Sequence, residues 1–209
     1  MTDNHYDGEV HCATLTTDRH GIPNSVYSFN GTSDCIAIKD FHYGTDAGAF
    51  ASEINQITFC AWFKTSANAY GYRVIIDFDY SDYWGLTLYD GVVGWQTHLK
   101  GSSNAQDTLT TPLSYNDGKW HLVCATFDGT SNSKKLFIDG DKVAEEALLS
   151  GSSIGGTGNT RYGFTGYGSE ADAFNGDRDS NGAFQGQIDD VIIFDEVLPE
   201  ASIKALSNN

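Results

Sequence analysis

Short runs of alternating apolar and polar residues, each bounded by Gly, Asn, Asp or Ser, recur along this sequence from end to end. A period of two places alternate side chains on opposite faces of a strand, so a chain written this way folds as an all-β protein. The 23 glycines against three prolines suit many tight turns. The pattern predicts strands at Val26–Phe29, Cys35–Ile38, Ile57–Lys64, Val74–Phe78, Leu86–Tyr89, Val92–His98, His121–Phe127, Lys134–Ile138, Lys142–Ala147 and Gln187–Phe194. Asp90-Gly91 and Asp139-Gly140 read as hairpin turns. One short helix is expected from Pro199 to Ile203, with proline near its start and Glu200 in its first turn. Alternation further predicts that Phe59, Ala61, Trp120, Val191 and Ile193 are buried. No linker or internal repeat divides residues 1–209, which are expected to form one domain. Two long loops are expected: the Gly/Ser-rich 150–159 and the acidic 166–182.

The 28 acidic residues against 12 basic ones leave a net charge of −16. Such a surface repels a phosphate backbone or an anionic membrane, and it suits divalent cations, which want oxygen ligands. No run approaches membrane-spanning length. No apolar h-region follows Met1, so no signal peptide is expected. Met-Thr-Asp-Asn-His reads as the cut edge of a longer exported protein. None of Cys12, Cys35, Cys60 and Cys124 forms a C-x-x-C pair. Cys60 and Cys124 read as small apolar residues inside strands, while pairing of Cys12 with Cys35 is left open.

No G-x-S-x-G, H-E-x-x-H or P-loop is present, nor the E-x-D-x-x-E run that sandwich glucanases carry. His121, in an alternating strand, reads as a packed or hydrogen-bonded residue. Two acidic clusters stand out. In the first, Asp77 and Asp79 share a strand face and Asp82 follows at a turn, with no Lys or Arg between Val74 and Leu99. Like charges this close need a cation or hydrogen bonds, unless they form a solvated strand end. The second contains Glu170, Asp172 and the D-x-D-x-N-G run of Asp177, Asp179, Asn181 and Gly182, which opens like an EF-hand loop. Its twelfth position is Ile188, and the following Asp189 supplies a carboxylate only in a different loop geometry. The alternative is an exposed polar loop. Tyr80, Tyr83 and Tyr167 lie beside these acids and suit a sugar face or a peptide side chain. Trp84 and Phe174 read as core. The ligand site is placed where the turn from Asp79 to Trp84 meets the 166–182 loop.

The runs Tyr27-Ser-Phe-Asn-Gly31, Phe59-Cys-Ala-Trp-Phe-Lys64, Asn116-Asp-Gly-Lys-Trp-His121, Leu136-Phe-Ile-Asp-Gly140 and Gly186-Gln-Ile-Asp-Asp-Val191 make about residues 25–206 resemble laminin-G/pentraxin-like domains. That class is a two-sheet antiparallel jelly roll of the concanavalin A type. Ser81-Asp-Tyr-Trp84, with Gly166-Tyr-Gly-Ser-Glu-Ala171 and Phe174-Asn175-Gly176, resembles the modules with which large bacterial repeat adhesins bind peptide ends or glycans through calcium. The resemblance implies a Ca2+-dependent, non-enzymatic module at the cell surface, with Asn175 at its ligand. It also implies a structural calcium shared by the Gly31 carbonyl and Asp189. A carbohydrate-active enzyme, or its accessory carbohydrate-binding domain, is the alternative.

Overall fold

The computed structural model describes residues 8–38, 42–43, 49–50, 52–67, 71–100, 106–159, 161–169, 178–179 and 182–208. Fourteen strands build two sheets: β1 (Gly8–His11), β2 (Thr14–Thr16), β3 (Val26–Asn30), β4 (Cys35–Ile38), β5 (Gln56–Lys64), β6 (Tyr72–Asp77), β7 (Trp84–Tyr89), β8 (Val92–His98), β9 (Gln106–Ser114), β10 (Trp120–Asp128), β11 (Ser133–Ile138), β12 (Asp141–Ala147), β13 (Phe164–Thr165) and β14 (Gln185–Phe194). One sheet runs β1-β4-β13-β6-β7-β8-β9, the other β12-β11-β10-β5-β14-β3-β2. Every pairing within them is antiparallel, as expected for a jelly-roll sandwich. A single apolar cluster between the sheets includes Phe59, Ala61 and Phe63 of β5, Trp84 and Leu86 of β7, Trp95 of β8 and Val123 of β10. Asp90-Gly91 and Asp139-Gly140 take left-handed φ at both positions, as two-residue hairpins between twisted strands require. The helix α1 (Glu200–Leu206) follows Pro199.

Three expectations are corrected. Val191 is 37% exposed, because β14 bulges between Asp189 and Ile192 with Asp190 at φ 43°. An extra residue in one strand shifts the side chains beyond it relative to the faces. Trp120 and Ile193 are half-buried. Second, Cys60 and Cys124 form a disulfide. They sit directly opposite each other on β5 and β10. The bond lies on the outer face of its sheet, packed with Leu122, Phe137 and Ile203 of α1. Third, β1, β2, β9 and β13 lie outside the strands expected from the sequence.

His121 is hydrogen-bonded, as its strand context suggested. Its Nδ1 is 2.9 Å from Asp139 Oδ2 and its Nε2 3.1 Å from Asp117 Oδ1. The bond to Asp139 raises its pKa above the ordinary histidine value, against burial and together with Asp117. A raised histidine contributes stability that is fully present below the unfolded value of about 6.5 and is lost as pH rises through the folded value. The melting-temperature advantage of the wild type over His121→Gln is therefore expected to shrink as pH rises from about 6.5. An advantage that grows with pH would contradict this ion-pair assignment.

Candidate functional site

The turn between β6 and β7 is folded by its own acids. Asp77 Oδ1 accepts the Tyr80 amide at 3.0 Å, and Asp79 Oδ1 accepts the Ser81 amide at 3.1 Å and the Ser81 hydroxyl at 2.5 Å. Asp79 takes φ 54°, a conformation that aspartate tolerates better than most residues. Its carbonyl accepts the amides of Asp82 and Tyr83. Asp77 and Asp79 are 3% and 1% exposed, so this is no solvated strand end.

The 159–169 segment closes on that turn. Arg161 Nε lies 2.7 Å from both Asp79 Oδ2 and Asp82 Oδ2. Asn159 Nδ2 donates to both Asp82 oxygens at 3.1 and 3.2 Å, and the Tyr83 hydroxyl donates to the Asn159 carbonyl at 2.9 Å. The Ser169 amide donates to Asp77 Oδ2 at 2.9 Å. Gly166, at φ 80°, lies so close to Phe29 that a Cβ there would come within 2.4 Å of its ring. Burial pushes the Asp82 carboxyl up, but the bonds from Asn159 and Thr157 and the Arg161 charge outweigh it and hold it below its usual range. Burial opposes the Arg161 charge too, yet Asp82 and Asp79 raise its pKa.

The absence of a basic residue near these acids in sequence is thus corrected by the fold, which supplies Arg161. As placed, Asp79 and Asp82 do not fit a calcium shell, because their oxygens already accept a guanidinium, an amide and a hydroxyl. Among the described residues no three or more His, Cys, Asp or Glu side chains gather to hold a metal. The β14–β3 register also separates Gly31 from Asp189. Gln185 pairs with Asn30 and Ile188 with Tyr27, so Gly31 and Asp189 lie about five residues apart along the strands, roughly 16 Å. They cannot share one ion. Asp189 pairs instead with Arg19 at 2.6 Å, and that guanidinium sits 4.7 Å from the centre of the Trp62 ring. Burial and the neighbouring Asp190 nonetheless raise the Asp189 pKa, against Arg19.

Of the expected ligand-contacting tyrosines, Tyr83 is fully buried and Tyr167 is 8% exposed. Both belong to packing, which corrects that expectation. Tyr80 is half-buried, its ring centre 5.9 Å from that of Tyr72. Glu170, Asp172, Asn175, Asp177 and Asn181 lie outside the described residues. Only the backbone of Asp179 is described, paired with Gly168. Arg161 and Asn159 were missed. A lone arginine between two acidic segments, in a chain with 12 basic residues, was the available signal.

A second buried charge bridges the sheets. Lys134 of β11 is wholly buried, with Nζ 2.8 Å from Asp107 Oδ2 and 3.0 Å from Thr97 Oγ1. Burial lowers its pKa, and Asp107 opposes that. Burial, followed by the Asp107 charge, raises the Glu146 pKa. Both carboxyls line a cavity of about 460 Å3.

Residues 30–204 match a family model described as the concanavalin A-like lectin/glucanases superfamily. Jeltraxin of Lepidobatrachus laevis is 33% identical over 87 residues, 42% of this chain and 36% of its own length. The ligand-binding domain of botulinum neurotoxin serotype D, solved in complex with N-acetylneuraminic acid, superposes with a TM-score of 0.66 at 19% identity, over 97% of this chain and 46% of that one. A heptameric SAP-like pentraxin from Limulus polyphemus superposes with a TM-score of 0.56 at 16% identity, over 97% of this chain and 82% of that one. The chain thus spans about a third of the curated relative and under half of the toxin domain. At these identities the solved structures establish the fold.

Proposed function

The chain belongs to the concanavalin A-like lectin/glucanase superfamily, and from that premise we propose that it is a non-enzymatic module displayed outside a cell, binding a peptide or glycan at the end of the sandwich where the turn from Asp79 to Trp84 meets residues 159–169. The observation that carries this reading is the Arg161–Asp79–Asp82–Asn159 knot. It fixes two connecting segments against each other at one sandwich end, and a rigidly held rim gives a ligand a preformed surface. The similar toxin domain is a ligand-binding domain by description, which favours the same class.

The glucanase alternative needs two carboxyls straddling a scissile bond, about 5–5.5 Å apart in retaining enzymes and 6.5–9.5 Å in inverting ones. Asp107 and Glu146 border a cavity together, but Asp107 Oδ2 is engaged by the buried Lys134 ammonium at 2.8 Å, and the sequence carries no E-x-D-x-x-E run. Calcium remains part of the proposal, moved from Asp79 and Asp82 to Glu170, Asp172, Asp177, Asp179 and Asn181, whose alternating oxygens support it. Attachment to a bacterial adhesin is proposed on the same terms, from the resemblance of the two loops.

The test is a screen of the purified chain on glycan and peptide arrays, in millimolar calcium and in EDTA, with melting temperatures recorded in both. A specific ligand, and a melting temperature raised by calcium through mass action, are expected. Turnover of laminarin, alginate or agar that survives repurification would overturn the binding-module reading. Equal melting temperatures at matched ionic strength would overturn the calcium.

A further inference from the structure

Among the described side chains, every lysine and arginine is ion-paired with a carboxylate except Lys64 and Arg73. In a chain with 28 acidic residues against 12 basic ones, a basic side chain finds an acid easily, so these two exceptions stand out. Both lie at the end of the sandwich away from the Asp79 turn, beside the Asp90-Gly91 hairpin. Lys64 closes β5, and Arg73 lies near the start of β6 in the facing sheet. Arg73 Nη1 donates to the Tyr72 carbonyl at 2.8 Å, while its Nε is buried without a hydrogen-bond partner. Asp90 borders the same depression as Arg73 but forms no ion pair with it.

Lys64 lines a cavity of about 600 Å3 with Ser28, Ser66, Gln185 and Gln187, and no acid is among its described lining residues. Gln187 stands between Lys64 on β5 and Ser28 on β3, so an ammonium, an amide and a hydroxyl follow one another across three strands. Thr65 and Ala67 border both this cavity and the depression beside Arg73, so the two cations flank one mouth. That mouth is held in place. Thr65 Oγ1 donates to the Gln185 carbonyl at 2.7 Å and accepts the Ala67 amide at 3.1 Å. The Thr65 carbonyl accepts the Gly118 amide at 2.9 Å, and Asn116 Nδ2 donates to the Ala67 carbonyl at 3.3 Å.

The placement of the charges selects the occupant. A phosphate site gathers its donors on one point. Here the two cations sit in two adjoining depressions, which suits two carboxylates spaced along one chain. The net charge of −16 repels long polyanions and leaves short acidic segments as ligands. Amides and hydroxyls in a row serve an extended backbone, which offers N–H and C=O groups in turn. We propose that this end of the sandwich binds an acidic peptide segment, with its backbone along Gln185 and Gln187, one carboxylate on Lys64 and another on Arg73. The site uses no metal and goes beyond the rim reading, which concerns the opposite end.

The test is backbone-amide NMR mapping of the whole chain in EDTA, titrated with the capped peptide Ac-Asp-Ser-Asp-Ser-Asp-NH2 and with its Asn-Ser-Asn-Ser-Asn counterpart. The expected result is saturable shifts at Ser28, Ser66, Arg73 and Gln187 with the acidic peptide alone, weakening as NaCl rises from about 50 to about 500 mM. Lys64→Gln and Arg73→Gln are each expected to weaken that binding about tenfold. Lys64→Gln, which breaks no ion pair, is expected to leave the melting temperature unchanged. Equal shifts with both peptides would overturn the proposal, and so would no saturable shift at millimolar peptide. Inorganic phosphate that saturates the same amides below the peptide's own range would overturn the peptide as occupant. Shifts confined to Ser81, Asp82 and Arg161 would overturn this site and leave the rim reading standing.

Discussion

Replacing Cys60 and Cys124 together by alanine is expected to lower stability by roughly 4 kcal/mol. The disulfide closes a loop of sequence separation 64, and loop closure of that length removes unfolded-state entropy worth about 4 kcal/mol at 25 °C. The native state gives little of this back. The two residues already face each other across β5 and β10, and alanines there leave the sheet hydrogen bonds in place. The pair is covered by Phe137 and by Ile203 of α1, so a reductant reaches it only when α1 lifts from the sheet. Urea titration of the oxidised protein and the double variant measures the difference. A loss below ~1 kcal/mol would mean that the unfolded chain is already compact around these strands. Disulfides persist in oxidising compartments, so the bond supports the proposed display outside a cell.

Much of the architecture was legible because its signal is local. In Phe59 and Ala61, alternation alone marked the inward face of β5, and Asp-Gly marked both hairpins. What failed depends on partners distant in sequence. Cys60 and Cys124 looked like apolar strand residues until β5 and β10 were placed in register. Val191 followed the period of two, but the bulge at Asp189–Ile192 breaks phase with no warning beyond a doubled aspartate. β9, Gln-Asp-Thr-Leu-Thr-Thr-Pro-Leu-Ser, is polar and carries Pro112. It is an edge strand, where a missing amide costs no ladder bond. The acids of the β6–β7 turn were found because like charges close together demand compensation. The kind of compensation was misread, since Arg161 lies 82 residues from Asp79 and the local window holds no cation.

Arg161→Gln is expected to cost about 3–5 kcal/mol at pH 7, the typical effect of removing one partner from a buried ion pair. The cost falls on what is left behind. Asp79 is 1% exposed and Asp82 7%, and their nearest oxygens share one cation atom at 2.7 Å. Without it, burial pushes the Asp82 carboxyl up with no cation beside it to oppose the shift. Arg161→Lys is expected to recover only part of the loss, because an ammonium on a flexible stem does not reproduce a planar guanidinium held between two carboxylates. The pH dependence has a definite sign. In the wild type Asp82 is held below its ordinary value, so its contribution is present above about pH 4 and is lost as pH falls through its folded value. In Arg161→Gln the Asp82 carboxyl protonates more easily in the folded state, so acid removes the cost of its buried charge. The stability gap between the two proteins should therefore narrow as pH falls from 7 toward about 4. Urea titrations at both pH values measure it. A gap that stays constant would show that Arg161 acts by packing alone. A gap below ~1 kcal/mol at pH 7 would remove the ion pair from its place as the fixed point of the rim.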